Sequence, residues 1–551
     1  MYSYRVSDVE HESRMSPGEA TPPQVQEEPT RPSRRALMAL GITVCALYFA
    51  VEVYLLSGVI GFPLDDSWIH LQFARNLATG HGLSFNPGEL VPGSTAPLWT
   101  ALLSMLFFLP GSPVLWAKLA GVVLFLAGGF ATHRLGLALG LETRLATLAT
   151  ALTLATSWLV WSALSGLEIP LFILVSVWGI VLHLRERRDP ARFPLSPFVF
   201  ALAFLLRPEA VVLVLAAVVD RFLVFSRDSE GDLRWRPPSW RPLLLGLAIF
   251  VIVAAPLVLF NHWISGSMLP TTFGAKSGGL QRWVPEMGYL YTVFGIFFQA
   301  QPWMALFAGA GILALLGGVG GREDHGLLPA LWLVGLPFAY GLIDPPGQFN
   351  LVGNFGRYFF PLFPVVVVLG MLGIQKSLGG LGTWLQAGSL RISLRVLGLL
   401  ILVLPTLFEL VQGAGRYGQS VLNVQESDVR VARWLEGRLS PEALLAVADI
   451  GAIKFFLPNR VVDLAGIGNP EIKSLGAEGF LAQHQPDYLV IFPNWYARLF
   501  DADDPFEIVR EFPIEDNITM GGDILAVYST PWTRYPLADV LPPPVGDRAR
   551  E

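Results

Sequence analysis

Apolar runs of roughly 18 to 25 residues, the length a helix needs to cross the ~30 Å hydrocarbon layer, recur from Ala36 to about residue 413. No other feature restricts the fold as tightly, because only helices and closed barrels satisfy their backbone groups inside a bilayer. Eleven segments are read as spanning helices: 36–60, 113–132, 145–164, 168–184, 193–206, 209–226, 243–262, 303–319, 327–343, 358–375 and 396–413. The first is too long for the apolar core of a signal peptide, and no small-residue cleavage site follows it. Only 15% of the 551 residues are charged, against roughly 25% in soluble proteins, which excludes a soluble enzyme of this size. The net charge of −6 and the lack of a basic block outside the loops argue against nucleic acid as a partner. The single cysteine, Cys45, excludes disulfides and cysteine-based metal sites within one chain.

The stretch 97–110 is shorter than a span. If it only dips into the outer leaflet, the Arg- and Lys-bearing connections 133–144, 185–192, 220–242, 320–325 and 376–395 all face the cytoplasm, as the positive-inside rule requires. The opposite face then collects the loop 61–96, the Ser165–Glu168 and Arg207–Glu209 turns, the loops 263–302 and 344–357, and the C-terminal region. Three parts are expected: a disordered cytoplasmic tail (1–34), too polar to fold; a transmembrane domain (35–413); and a soluble extracytoplasmic domain (414–551) with an irregular end. In that last part, strand patterns at 444–448, in NRVVDLAG and in PDYLVIF alternate with helical ones and predict a small α/β fold. The fold class is thus an all-α polytopic membrane protein with about 11 transmembrane helices and a small C-terminal α/β domain.

The segment GFPLDDSWIHLQFARNLATGHGLSFNPGELVPGSTAPLWT (61–100) carries the richest polar chemistry. Asp65 and Asp66 follow the outer end of the first span. Ile69, Phe73 and Leu77 recur at four-residue spacing, which predicts an amphipathic helix along the membrane surface. One aspartate, Asp66, is expected to cap that helix. Asp65 is then left to face a cavity, where a carboxylate can accept a proton from an attacking sugar hydroxyl. Asp66 and His70 stand i,i+4 and are expected to pair. His70, His81 and His262 show no compact ligand spacing, so no metal site and no cofactor are expected. No P-loop or glycine-rich nucleotide fingerprint is present.

These motifs resemble the GT-C superfamily of bacterial membrane glycosyltransferases, and within it the terminal arabinofuranosyltransferase-like branch of actinobacterial cell-wall synthesis. The resemblance rests on the aspartate pair, the ARNLATGHGLSFNPGE stretch, the TAPLW segment, SGLEIPLF (165–172), LRPEA (206–210), SMLPTTFGAK (267–276), GRYFFPLFP (356–364) and VADIGAIKFF with NRVVDLAGI (447–467). The chain departs from the branch at Ser67-Trp68 and at Gly93-Ser94-Thr95-Ala96. The resemblance implies a polyprenyl-phosphate-linked sugar donor, with a pentofuranose such as arabinofuranose as the sugar. The acceptor is a hydroxyl of a cell-envelope glycan, lipid or protein, and the site lies on the outer face of the cytoplasmic membrane. Asp65 is then the base and Asp66 its partner or cap. A lipid phosphate leaving group needs cations, and Arg357, Lys276 and Arg207 are the candidates, with His262 as a hydrogen-bond donor. Each is otherwise a snorkelling cation among lipid headgroups. Glu168 matches the family's Ser-Gly-x-Glu turn, and Trp68 is placed to stack on a sugar. A transporter or flippase of lipid-linked sugars and a non-catalytic glycan-binding membrane protein are the alternatives.

Overall fold

The computed structural model describes residues 34–189, 191–227, 232–268, 270–271, 283–321, 324–343, 356–379, 390–469, 471–499 and 505–538. All but the last residue of the expected tail, and Lys276, lie outside the described residues.

In chain order the helices are α1 (Arg34–Leu55), α2 (Asp65–Ala78), α3 (Pro97–Leu106), α4 (Pro113–Ala138), α5 (Thr143–Leu154), α6 (Ser157–Leu164), α7 (Ile169–Arg188), α8 (Ser196–Leu206), α9 (Ala210–Phe222) and α10 (Trp240–Ser265). They continue as α11 (Met287–Ala300), α12 (Pro302–Gly318), α13 (Leu328–Ile343), α14 (Phe363–Gly379) and α15 (Leu390–Val424). All eleven apolar segments are helical. Among the described residues, five helices are long and apolar enough to cross a bilayer singly, and the bent pairs α5/α6 (57°) and α11/α12 (119°), each taken as one span, bring the number to seven. The segments 193–206 and 209–226 form helices of only 11 and 13 residues, α8 and α9, around the Arg207–Glu209 turn. At 10 residues α3 rises about 15 Å, too little to cross, in keeping with an interfacial element. Proline interrupts α10, α13 and α15, which membrane helices tolerate because neighbours satisfy the freed carbonyls.

Water drives no hydrophobic association inside a bilayer, so close backbone packing has to hold the bundle together. A Cβ on Gly311 of α12 would lie 2.0 Å from the Leu369 carbonyl oxygen of α14, and one on Gly121 of α4 would lie 2.1 Å from that of Ala163 in α6. The Lys118–Glu52 ion pair is fully buried among the spans. Lys118 Nζ donates to Glu52 Oε2 (3.0 Å), the Tyr417 hydroxyl (2.6 Å) and the Leu164 carbonyl (3.0 Å), and Tyr417 and the Gly61 amide also donate to Glu52. Glu52 is thereby a structural tie between α1, α4 and α15.

Helix α15 runs unbroken across residues 413–414 and delivers the chain to the C-terminal domain. After α16 (Arg430–Leu435) come β3 (Leu445–Val447), α17 (Gly451–Phe456), β4 (Val461–Asp463), α18 (Ile472–His484), β5 (Tyr488–Ile491), β6 (Glu507–Pro513) and β7 (Ile524–Ser529). The sheet order is β4-β3-β5-β7-β6. β3 pairs in parallel with β4 and β5, while β7 is antiparallel to β5 and β6. The three expected strands are β3, β4 and β5. The remaining pair is harder to read in sequence because β6 (EIVREFP) is an edge strand that buries little but Phe512. A short hairpin, β1 (Phe225–Arg227) with β2 (Leu233–Trp235), precedes α10.

Candidate functional site

Helix α2 carries the aspartate pair, but it does not lie on a surface as its periodicity predicts. Ten of its 14 residues are buried, because both α3 and α17 of the C-terminal domain pack against it. Trp68 is enclosed by Phe62, Phe455 and Phe456, with ring centroids 5.0–5.1 Å away. It is an anchor for the domain, not an open platform for a sugar. Arg75 reinforces the same contact, donating to the Phe455 carbonyl (2.8 Å) and lying over the Phe455 ring.

The two aspartates exchange the places expected of them. No side chain caps α2, whose preceding residue is Leu64. Asp65 points into the C-terminal domain and accepts hydrogen bonds from the Gly451 amide (2.6 Å) and the Ala452 amide (2.7 Å) at the start of α17. It caps a helix 386 residues away. Burial, with Asp66 and Asp463 nearby, pushes its carboxyl up to about 7 against the pull of those two amides. Asp66, with 29% of its side chain exposed, accepts a hydrogen bond from Arg357 instead. It does not pair with His70.

Around Asp66 and His70, three turns remote in sequence converge. His70 Nε2 lies 3.2 Å from Glu168 Oε2, and Glu168 is bonded on its other oxygen by Arg207 Nη1. Arg207 Nε in turn bonds Glu209, so the Arg207–Glu209 pair is one arm of a larger network. The Tyr358 ring stands between two guanidiniums, 5.0 Å from that of Arg207 and 5.5 Å from that of Arg357. The buried Glu168 carboxylate is thus held by Arg207 on one oxygen and faced by His70 on the other. Gly356, at φ +65°, sets the turn that aims Arg357, and a Cβ there would strike Ile296 at 2.3 Å.

The cluster therefore gathers Asp66, His70, Glu168, Arg207 and Arg357, five of the nine residues singled out from sequence. Asp65 and Trp68 sit beside it in the domain contact. His262 does not join it: it is exposed at the end of α10, and its ring faces the Gly266 carbonyl at 3.2 Å. Tyr358 and the α17 amides were missed. Aromatic residues at span ends are ordinarily interfacial, and nothing local ties residue 65 to residue 451. Among the described residues, no three His, Cys, Asp or Glu side chains converge in a metal-binding group.

Chemically, the cluster offers one part-exposed carboxylate held against a buried guanidinium. Among its neighbours, Arg207 is shared by two carboxylates, Glu168 and Glu209. Between the loop 85–92, the end of α10 and the C-terminal domain, a cleft of about 440 Å³ is lined by Asn86, Glu89, Ser265, Thr271, Asn469 and Glu471, with no lysine or arginine among its described lining residues.

The architecture is shared with solved membrane proteins. The chain is similar to ArnT from Cupriavidus metallidurans in the apo state, with a TM-score of 0.54 and 13% identity, covering 90% of this chain and 98% of that one. It is also similar to the same protein bound to undecaprenyl phosphate, with a TM-score of 0.52 and 13% identity over 89% of this chain and 98% of that one. Against the apo Archaeoglobus fulgidus oligosaccharyltransferase the TM-score is 0.53 at 12% identity, covering 90% of this chain and 76% of that one. The fold is GT-C. At these identities the likeness is one of fold. Residues 419–533 match the family described as Domain of unknown function (DUF8728). No curated protein sequence matches the chain.

Proposed function

We propose that this protein is an integral-membrane glycosyltransferase that moves a sugar from a polyprenyl-phosphate donor to a hydroxyl of a cell-envelope acceptor. The observation that carries the reading is the Asp66–Arg357 pair, the part-exposed member of a buried network on a GT-C fold. One of the proteins sharing that fold binds undecaprenyl phosphate. The sequence motifs of the arabinofuranosyltransferase-like branch favour a pentofuranose such as arabinofuranose as the sugar.

In this reading Asp66, not Asp65, is the base. The acceptor oxygen forms a bond to the anomeric carbon and its proton passes to the Asp66 carboxylate. The bond from that carbon to the phosphate oxygen breaks, and its electron pair leaves with polyprenyl phosphate. Arg357 exchanges Asp66 for the phosphate as negative charge develops there. Lys276 is proposed as a second phosphate contact. Arg207 is a positioning residue, already bonded to two carboxylates. The cleft of about 440 Å³ suits a polyhydroxyl acceptor, since amides, hydroxyls and carboxylates bond sugar hydroxyls while its acids disfavour a phosphate.

Transfer from a lipid-linked sugar in proteoliposomes tests the assignment. Asp66→Asn should lower turnover by about 10²–10⁴-fold with the protein still folded, while Asp65→Asn retains measurable turnover. Undiminished turnover by Asp66→Asn would remove Asp66 from the chemistry. Translocation of the labelled lipid without any glycan product would favour the flippase alternative.

A further inference from the structure

A second polar-rimmed cavity, of about 490 Å³, lies at the other end of the bundle. Helix α7 starts beside Glu168 and ends 20 residues later at Arg188, about 30 Å away. The cavity sits where it ends, among the near ends of α7, α8, α9 and α10. The distribution of basic loops assigns this end to the cytoplasm.

Its rim carries Arg187, Arg188, Arg221 and Arg236. Two of these are already matched by acids. Arg187 pairs with Asp220 and Asp324, and Arg221 pairs with Glu186. Arg188 donates only to the Ala138 carbonyl and to His325, and the Arg236 side chain donates to the Ser226 hydroxyl. Among the described residues neither forms an ion pair with a carboxylate, although Asp324 lies near enough to act on Arg188 through space. The floor is apolar, formed by Phe200, Val218, Leu247 and Phe250. Leu247 and Val218 are also exposed on the outer flank of the bundle, at 60% and 41%, so the floor is continuous with the surface that lipid covers. Helix α10 meets α8 where Gly246 contacts Pro197, and five prolines stiffen the lining.

We infer that this cavity binds one anionic phospholipid, its phosphate between Arg188 and Arg236 and an acyl chain along the Phe200–Leu247–Phe250 floor. Charge at the rim and hydrocarbon below it match the two halves of such a lipid. A soluble anion would leave the apolar floor unused, and a zwitterionic lipid would bring a cation to a rim already rich in arginine.

Native mass spectrometry of the full-length protein, titrated with dioctanoyl phosphatidylglycerol, dioctanoyl phosphatidylcholine or inorganic phosphate, tests this without reference to sugar transfer. Phosphatidylglycerol should be retained in preference to phosphatidylcholine. The double variant Arg188→Gln/Arg236→Gln should weaken it roughly 30-fold, about a factor of five for each arginine. Val218→Trp, which fills the floor and leaves the arginines, should weaken it as well. If that variant does not fold, as judged by its melting curve, the arginine pair alone decides. Equal retention of both lipids, displacement by phosphate at comparable concentration, or full binding by the double variant would overturn the proposal.

Discussion

At the scale of single residues, two adjacent carboxylates of one type do two different jobs because consecutive side chains on a helix point about 100° apart. Asp65 faces the domain contact and Asp66 faces the cluster. The first has a signature in pH. Its folded-state carboxyl, near 7, stands above the ~3.9 of an unfolded aspartate, so the folded protein holds the extra proton between those values. Stability from this group is fully present below about pH 4, declines as pH rises toward 7, and is level above it. Asp463, raised to about 6 by burial, acts in the same direction. The melting temperature of the purified protein should therefore fall between pH 5 and pH 7.5, and Asp65→Asn should flatten part of that slope. An identical slope in the variant would show that Asp65 does not titrate in this window. Arg357→Lys keeps the charge but loses the fork that reaches Asp66. A fall of tenfold or more in turnover, measured on the same lipid-linked donor, is expected.

At the scale of elements, the contact between α2 and α17 determines where Asp66 points. Both the helix and its apolar spacing are legible in the sequence. What covers it is not, because the covering residues lie nearly 400 positions away. The i,i+4 geometry that suggested an Asp66–His70 pair is real, but Arg357 and Glu168 approach from other turns, Arg357 bonding Asp66 and Glu168 lying against His70. Gly451 makes the contact testable. A Cβ there would lie 2.3 Å from the Asp65 carbonyl oxygen and 2.7 Å from both carboxylate oxygens, and a helix backbone cannot yield that distance. Gly451→Ala should destabilise the protein by about 1–3 kcal/mol and lower transfer by displacing Asp66. A wild-type melting curve together with wild-type turnover would mean that the two helices are not in close contact.

For the whole molecule, the buried Glu52–Lys118–Tyr417 group ties the first, fourth and fifteenth helices together. Removing one charge strands the other in the bundle, at about 3–5 kcal/mol, whereas replacing both is far less costly. Lys118→Met should thus lower the melting temperature in detergent sharply. Glu52→Gln/Lys118→Met should recover much of the loss, and a double variant no more stable than Lys118→Met would show the pair is uncoupled. The sequence alone determined that the chain is a multi-pass membrane protein and that strands β3 to β5 follow the last long helix. Those follow from local hydrophobic length and periodicity, each readable within a few turns of chain. Only the tertiary structure decided which aspartate stays open, that Glu168 pairs with Arg207, and that Trp68 is enclosed. Each of those depends on which distant segment comes to rest against a side chain, a matter of contacts between turns that no local pattern encodes.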